Sequence, residues 1–368
     1  MAVLRVIIRA DASLRIGTGH VMRCLTLAKA LVKEGAEVNF ICRKSQGNLI
    51  SKIQSEEFKV YALNATPEYS KYSICKSNIN EGSLAHFDWL GVSQQEDAKD
   101  CQPILEAIQP DWLIVDHYAI DHIWENKLRP HYRKLMVIDD LGDRNHQCDV
   151  LLDQNYGSTI EKYRNRVPKS CTILTGPRYA LLRPEFSCWR EISLKRRADQ
   201  QVIETLLVTM GGVDPDNYTS QVLKQIEKTK IDGLKEIIVL LGETAPHLGD
   251  IKRQAKTMTI KTKVKANVSN MAEIMANADL AIGAAGATTW ERSCLGLPTI
   301  QLVIAENQRQ IANALAKDYI VLLMGSIQQL PTIVLEARLK IECLIKNASM
   351  IVDGQGLERV VKTVMERN

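Results

Sequence analysis

Two short stretches combine small residues with groups able to do chemistry. The first is Gly17-Thr18-Gly19-His20. Its glycines allow a tight turn and close approach of backbone to a ligand. The helix expected behind it presents free N–H groups and the positive end of its dipole. His20 stands at that helix start, where the dipole favours a neutral imidazole, a usable general base near pH 7. The plainer alternative is a histidine capping its own helix. The second stretch is Gly283-Ala284-Ala285-Gly286-Ala287-Thr288-Thr289-Trp290-Glu291. Small residues between a strand and a helix let backbone amides cradle a diphosphate, and Thr288 and Thr289 can add hydroxyls. Glu291 would fall in the first turn of the next helix, placed to accept from a ribose diol or simply to complement the dipole.

Weaker signals surround these two. Gly211-Gly212 ends an expected strand. Glu306-Asn307-Gln308 follows another, as a sugar or phosphate contact or as a helix cap. Three apolar runs end in polar residues: Asp111–His117, Leu135–Asp140 and Val150–Asn155. In open parallel α/β sheets ligands bind beyond the carboxyl ends of the strands, so these ends are candidates for lining a cleft. Asp121 reads instead as a helix cap. His117 and His122 lack metal-binding spacing, no metal site is expected, and no Gly-x-Ser-x-Gly elbow is present. Gly17-Thr18-Gly19 is not a dinucleotide fingerprint, because no third glycine follows.

The elements that must position these groups alternate strand and helix. Strands are expected at Val3–Ile8, Val38–Cys42 and the three runs above. After residue 204 they recur at Thr205–Met210, Ile237–Leu241, Thr259–Val264, Leu280–Ile282, Pro298–Ile304 and Tyr319–Met324. Residues 45–90 read as less regular, with one helix near Leu49–Glu57, and two helices close the chain near 329–346 and 355–366. The charged run 189–201 reads as the crossing between lobes. At 368 residues, the chain is long for one core. The expectation is therefore an α/β protein of two Rossmann-like lobes with a central cleft: residues 1–187 carrying the histidine, 204–330 binding the nucleotide, and 331–368 as C-terminal helices.

Composition narrows the class. Hydrophobic residues make up 45% and charged residues 24%, and the net charge is +4, too mild to imply nucleic acid but compatible with an anionic small molecule. The nine cysteines form no Cys-x-x-Cys pair, and their odd number suits free thiols in a reducing compartment. No apolar run approaches the ~20 residues that span a bilayer. A cytoplasmic enzyme acting on a small molecule is expected, without nucleic-acid or membrane partners and without a cofactor.

The run Arg9-Ala10-Asp11-Ala12-Ser13 through Ile16-Gly17-Thr18-Gly19-His20-Val21-Met22-Arg23-Cys24-Leu25 resembles the UDP-sugar hydrolases of pseudaminic-acid biosynthesis. Further matches are Trp89-Leu90-Gly91-Val92, Val115-Asp116-His117-Tyr118, Ile138-Asp139-Asp140-Leu141, Gly176–Phe186, Gly211–Pro215 and Gly283–Pro298. The resemblance covers the chain to about residue 320. It implies a fold related to MurG-type glycosyltransferases (GT-B-like) and a UDP-2,4-diacetamido-2,4,6-trideoxy-β-L-altropyranose substrate. It further implies that UDP lies mostly on the second lobe: Val268 near uracil, Gly286 to Thr289 on the diphosphate, Glu291 on the ribose. His20 matches the family's catalytic histidine and would deprotonate the attacking water, with Asp11 orienting His20 or the water. Gly17, Gly19 and Gly212 would line the substrate. Val213 stands where a small hydroxyl residue is expected. The alternative within the same fold is a glycosyltransferase, in which an acceptor hydroxyl replaces water. A further alternative is a sugar-nucleotide sensor without catalysis.

Overall fold

The computed structural model describes residues 3–65, 84–200 and 202–366. The part of the 45–90 reading at 66–83 lies outside the described residues. The chain divides into two compact units, 1–181 with 357–368, and 182–356.

The first unit holds a seven-stranded sheet of order β3-β2-β1-β4-β5-β6-β7, parallel throughout. Its strands are β1 (Arg5–Ala10), β2 (Glu37–Arg43), β3 (Lys59–Leu63), β4 (Trp112–Asp116), β5 (Lys134–Ile138), β6 (Val150–Asp153) and β7 (Thr172–Thr175). Helices α1 (Gly19–Lys33), α2 (Ile50–Ser55), α3 (Gln94–Ile108), α4 (His122–Leu128) and α5 (Ile160–Tyr163) connect them. The central strands are continuous apolar runs because helices cover both faces of the sheet. One core layer joins Val6, Ile8, Leu25 and Leu31, and the other joins Ile7, Leu113, Leu105 and Trp124.

The second unit holds a six-stranded parallel sheet of order β10-β9-β8-β11-β12-β13. Its elements run α6 (Pro184–Arg197), β8 (Thr205–Thr209), α7 (Tyr218–Lys228), β9 (Glu236–Leu241), α8 (Leu248–Thr257), β10 (Lys261–Ala266), α9 (Met271–Asn277), β11 (Leu280–Ala284), α10 (Thr288–Cys294), β12 (Thr299–Leu302), α11 (Arg309–Lys317), β13 (Leu322–Met324), α12 (Leu330–Leu339) and α13 (Ile341–Ile351). The edge strand β10 carries Lys261, Lys263 and Lys265 at alternate positions, a charge pattern that discourages pairing with another strand.

Two expectations about organisation change. The charged run 189–201, expected as the crossing between lobes, is largely the helix α6 inside the second unit, and the division falls at 181/182. Phe186, Ser193 and Arg197 are buried, and Arg197 donates to the carbonyls of Met275, Ala276, Ala278 and Leu295. It thereby satisfies the carbonyls that end α9, a role for a cation at a helix C-terminus. Secondly, the closing helices do not form one group. α12 and α13 stay with the second unit, whereas α14 (Gly356–Glu366) joins the first. Leu357, Val360, Val361 and Val364 form one face of α14 and enter the core beside Val6 and Leu25.

Candidate functional site

In both sheets the strand order reverses once. The reversal falls between β1 and β4 in the first and between β8 and β11 in the second. A crevice opens beyond the carboxyl ends of the strands at such a point. The two stretches rich in chemistry follow β1 and β11.

In the first unit, β1 runs into a turn closed by Gly17 N–H donating to the Ser13 carbonyl at 2.8 Å. Gly17 has φ +79°, which requires glycine; Gly19 meets no such demand, and open space surrounds the place of a Cβ there. α1 starts at Gly19 and has no side-chain cap, so His20 does not cap its own helix. Its Nδ1 instead lies 2.6 Å from Asp116 Oδ1, at the end of β4. Asp116 also accepts from Arg23 Nε at 2.6 Å and Nη2 at 2.7 Å. Arg23 is three residues beyond His20, on the same face of α1. Burial opposes ionisation of Asp116, but Arg23 and His20 outweigh it and hold the carboxyl well below its ordinary range. A carboxylate facing Nδ1 fixes the proton on that nitrogen and leaves Nε2 as the basic one. Arg23 Nη1 continues to Asp140 Oδ2 at 2.5 Å, which accepts from the Tyr118 hydroxyl at 2.8 Å. Tyr118 packs edge-on to His20, with ring centroids 4.6 Å apart, and stacks on Trp89 at 5.5 Å.

Asp11 does not reach His20. Its Oδ1 accepts from the Arg43 backbone N–H at 2.7 Å and faces Arg9 Nη1 at 2.7 Å. Oδ2 faces His117 Nε2 at 3.5 Å. The orienting carboxylate expected at Asp11 is therefore Asp116, because the parallel register sets Asp116 beside Ala10 at the end of β1. Asp11 belongs to a buried charge cluster: Arg9 and Arg43 both meet Asp97, each at 2.7 Å, and Asp97 also accepts from Trp124 Nε1 at 3.0 Å. His117, the other fallback base, is spoken for. Its Nδ1 accepts from the Ala119 N–H at 3.1 Å, and burial pushes its pKa down to about 4, with Asp11 opposing. Asp121 caps α4, accepting from the Ile123 N–H at 2.8 Å.

In the second unit the tight packing around Gly283 explains that residue. A Cβ there would collide with Arg292 Nη1 and sit 2.9 Å from the Thr209 carbonyl oxygen. Gly286, Ala287 and Thr288 are open to solvent in whole or part and form the start of α10. Thr289 is not. Its buried hydroxyl accepts from Gln301 Nε2 at 2.7 Å and Arg292 Nη2 at 3.3 Å, which turns it away from any ligand. Glu291 lies partly exposed in the first turn of α10, 3.3 Å from Arg183 Nη2. Burial raises its pKa, against the pull of Arg183. Gly212 accepts through its carbonyl from the Gly242 N–H at 2.8 Å, so β8 and β9 end in close backbone contact. Val268 is half-buried in the loop between β10 and α9. Beyond β12, Glu306 is exposed and pairs with Arg309 at 2.9 Å. Gln308 is nearer the loop: its Oε1 accepts from the Ile304 N–H at 3.3 Å, and its Nε2 is 3.9 Å from where a Gly286 Cβ would sit. Asn307 lies in the same short turn; its side chain is outside the described residues.

The sequence offered Asp116 and Asp140 only as strand ends that could line a cleft, and it gave Arg23, Tyr118 and Trp89 no site role. Signals for them existed: Arg23 at helical spacing from His20, and strand runs ending in Asp116 and Asp140.

Comparisons with known proteins agree with this layout. Residues 205–360 match the Glycosyltransferase family 28 C-terminal domain. The uncharacterized protein MJ1062 of Methanocaldococcus jannaschii is 28% identical over 312 residues, 83% of this chain but 57% of that protein. The UDP-2,4-diacetamido-2,4,6-trideoxy-beta-L-altropyranose hydrolase of Campylobacter jejuni is 26% identical over 316 residues, 85% of this chain and 97% of its own length. Among solved structures, MurG of Acinetobacter baumannii superimposes with a TM-score of 0.67 at 14% identity, covering 99% of each chain, a likeness of fold. No described helix is long and apolar enough to cross a membrane. Over most of its length the chain resembles the UDP-2,4-diacetamido-2,4,6-trideoxy-β-L-altropyranose hydrolases, on an α/β fold related to that of the MurG-type glycosyltransferases.

Proposed function

We propose that this chain is a UDP-sugar hydrolase that releases UDP and a free 2,4-diacetamido-2,4,6-trideoxyhexose for pseudaminic-acid synthesis in the cytoplasm. The observation that carries the reading is the 2.6 Å contact between His20 Nδ1 and the ionised Asp116. A histidine held this way keeps Nε2 free to take a proton. In the reaction, a water oxygen bonds to the anomeric carbon and the bond from that carbon to the phosphate oxygen breaks. His20 Nε2 takes the water's proton, and UDP departs with the electron pair. Asp116 positions the imidazole and stabilises the imidazolium that forms.

The second unit holds the nucleotide. Backbone groups of Gly286, Ala287 and Thr288 meet the diphosphate, Glu291 meets the ribose and the loop at Val268 meets uracil. Gln308 borders the loop at Gly286, and Gly212 follows β8, the strand beside β11. Gly17 and Gly19 admit the sugar toward His20, and Trp89 and Tyr118 offer it an apolar wall. The match of residues 205–360 to a glycosyltransferase domain supports a second reading, in which a sugar or lipid hydroxyl takes the place of water. One incubation separates them. UDP released from a UDP-diacetamido-trideoxyhexose without any acceptor, in step with free sugar, supports hydrolysis. UDP release that waits on an added hydroxyl acceptor overturns it in favour of transfer.

A further inference from the structure

The second unit buries a cation that hydrogen-bonds no carboxylate. Arg292 is 1% exposed, and its guanidinium lies under the glycine-rich loop. Nη1 donates to Thr288 Oγ1 at 3.2 Å, and Nη2 donates to the Ala284 carbonyl at 2.9 Å and to Thr289 Oγ1 at 3.3 Å. Nε is buried and has no hydrogen-bond partner. Every acceptor is neutral. The other buried arginines are accounted for. Arg9, Arg23, Arg43 and Arg144 face carboxylates, and Arg197 serves the carbonyls at the end of α9. Arg292 hydrogen-bonds no carboxylate: from the last turn of α10 its guanidinium reaches back onto Thr288 and Thr289 at the helix start, where a cation is disfavoured, and the neighbouring Glu291 acts on it through charge alone. Burial lowers its pKa to about 10, with Glu291 opposing, so the group is still charged at neutral pH. A buried charge whose hydrogen bonds all go to neutral groups is costly and persists where something repays it.

We infer that the diphosphate of the bound nucleotide completes the charge balance of Arg292, and that Arg292 is a positioning residue for it. Arg292 acts in two ways. Its charge raises the positive potential beneath the loop of residues 284–288, where negative charge grows as UDP departs. It also sets a proton. Thr288 Oγ1 receives Nη1–H on one lone pair, so its own O–H is directed away from Arg292, and Thr288 is partly open to solvent. Thr288 is thereby arranged as a donor to a phosphate oxygen. Thr289, which accepts from both Arg292 and Gln301, is held inward as part of the support. The tight fit also accounts for glycine at 283, where a side chain would displace the guanidinium. This inference rests on the reading that this loop holds UDP.

The test compares UDP with uridine, which lacks phosphate, by calorimetry on the full chain. Parent, Arg292→Gln, Arg292→Lys and Thr288→Val are measured, with thermal melts as the check on folding. The parent is expected to prefer UDP. Arg292→Gln should lose about tenfold or more in UDP affinity, the scale of one charge-assisted contact, with uridine affinity nearly unchanged. Arg292→Lys should recover part of the loss, and Thr288→Val should weaken UDP alone. A structural role predicts equal losses for both ligands, and that result overturns the inference. If Arg292→Gln does not fold, Thr288→Val decides: unchanged UDP affinity overturns the proposal, and a UDP-selective loss supports it. A parent that binds uridine and UDP equally well sinks the inference while leaving a nucleoside site; a parent that binds neither sinks the UDP reading along with it.

Discussion

The two units solve opposite electrostatic problems at equivalent places in their sheets. At the β1/β4 reversal the first unit gathers His20, Arg23, Asp116 and Asp140 and pairs nearly every charge. At the β8/β11 reversal the second unit offers backbone, hydroxyls and an arginine that hydrogen-bonds no carboxylate. A base must be held in one tautomer and orientation, which takes partners on several sides. An anion site must instead withhold internal partners from its donors, so that the ligand supplies them. The same topology therefore carries a closed charge network in one unit and an open one in the other.

The strongest test of this contrast is His20→Asn. It keeps a polar group but removes the base, and turnover should fall by about 10²–10⁴ with UDP affinity little changed. Turnover near that of the parent would mean that the closed network is scaffolding and the base lies elsewhere. Asp116→Asn should also lower turnover, by disturbing the tautomer, and should not alter nucleotide affinity.

The next effect concerns stability. His146 is buried in the first unit, with Nδ1 2.6 Å from Glu125 Oε1. Burial opposes protonation, but Glu125 and Asp139 prevail and raise its pKa to about 9. The folded value lies above the unfolded one, so this stabilisation is complete below pH ~6.5 and disappears as pH rises through about 9. Integrated over that window, the change is on the order of 3 kcal/mol. Denaturant unfolding between pH 6 and 10 should show the decline, and His146→Asn should flatten it. A parent profile that stays level would contradict a charged His146.

Smaller effects belong to the open network. Glu291→Ala should weaken UDP binding by about 1.5–3 kcal/mol, the usual worth of a hydrogen bond to a charged group, with the fold retained. Equal affinity by calorimetry would remove Glu291 from the ribose. Glu306→Ala, which breaks an exposed pair with Arg309, should leave UDP binding nearly unchanged. A larger loss would bring Glu306 back as a ligand contact.

Much of the fold was legible because buried parallel strands are written as apolar runs. β4, β5, β8, β9 and β11 stand out in that way. The strands that were missed are short or half-exposed: β3, at the sheet edge, and β7, with four residues. α3 is a largely polar helix that contains Pro103 and buries Gln94 and Asp97 beside Ala98, Cys101 and Leu105, and α6 is dense in charge, so neither shows a wide apolar stripe. Site legibility followed a similar rule. His20 and the loop at 283–289 announce themselves by glycine, which reports local backbone geometry. The pairing of His20 with Asp116 spans 96 residues and depends on strand order, which no local pattern encodes. The apparent hydroxyl at Thr289 misled for the same reason, because its partner Gln301 comes from the next strand.

The return of α14 to the first core has a consequence for how the protein is made. Leu357, Val360, Val361 and Val364 emerge from the ribosome after all of residues 182–356. The β1–β7 sheet can therefore assemble early but must wait, with one apolar layer partly uncovered, while the second unit is synthesised in full. Domains generally fold as units during synthesis, with the N-terminal one first. Here the second unit is an insertion that can be complete before the first is sealed, and the last helix works as the closing latch.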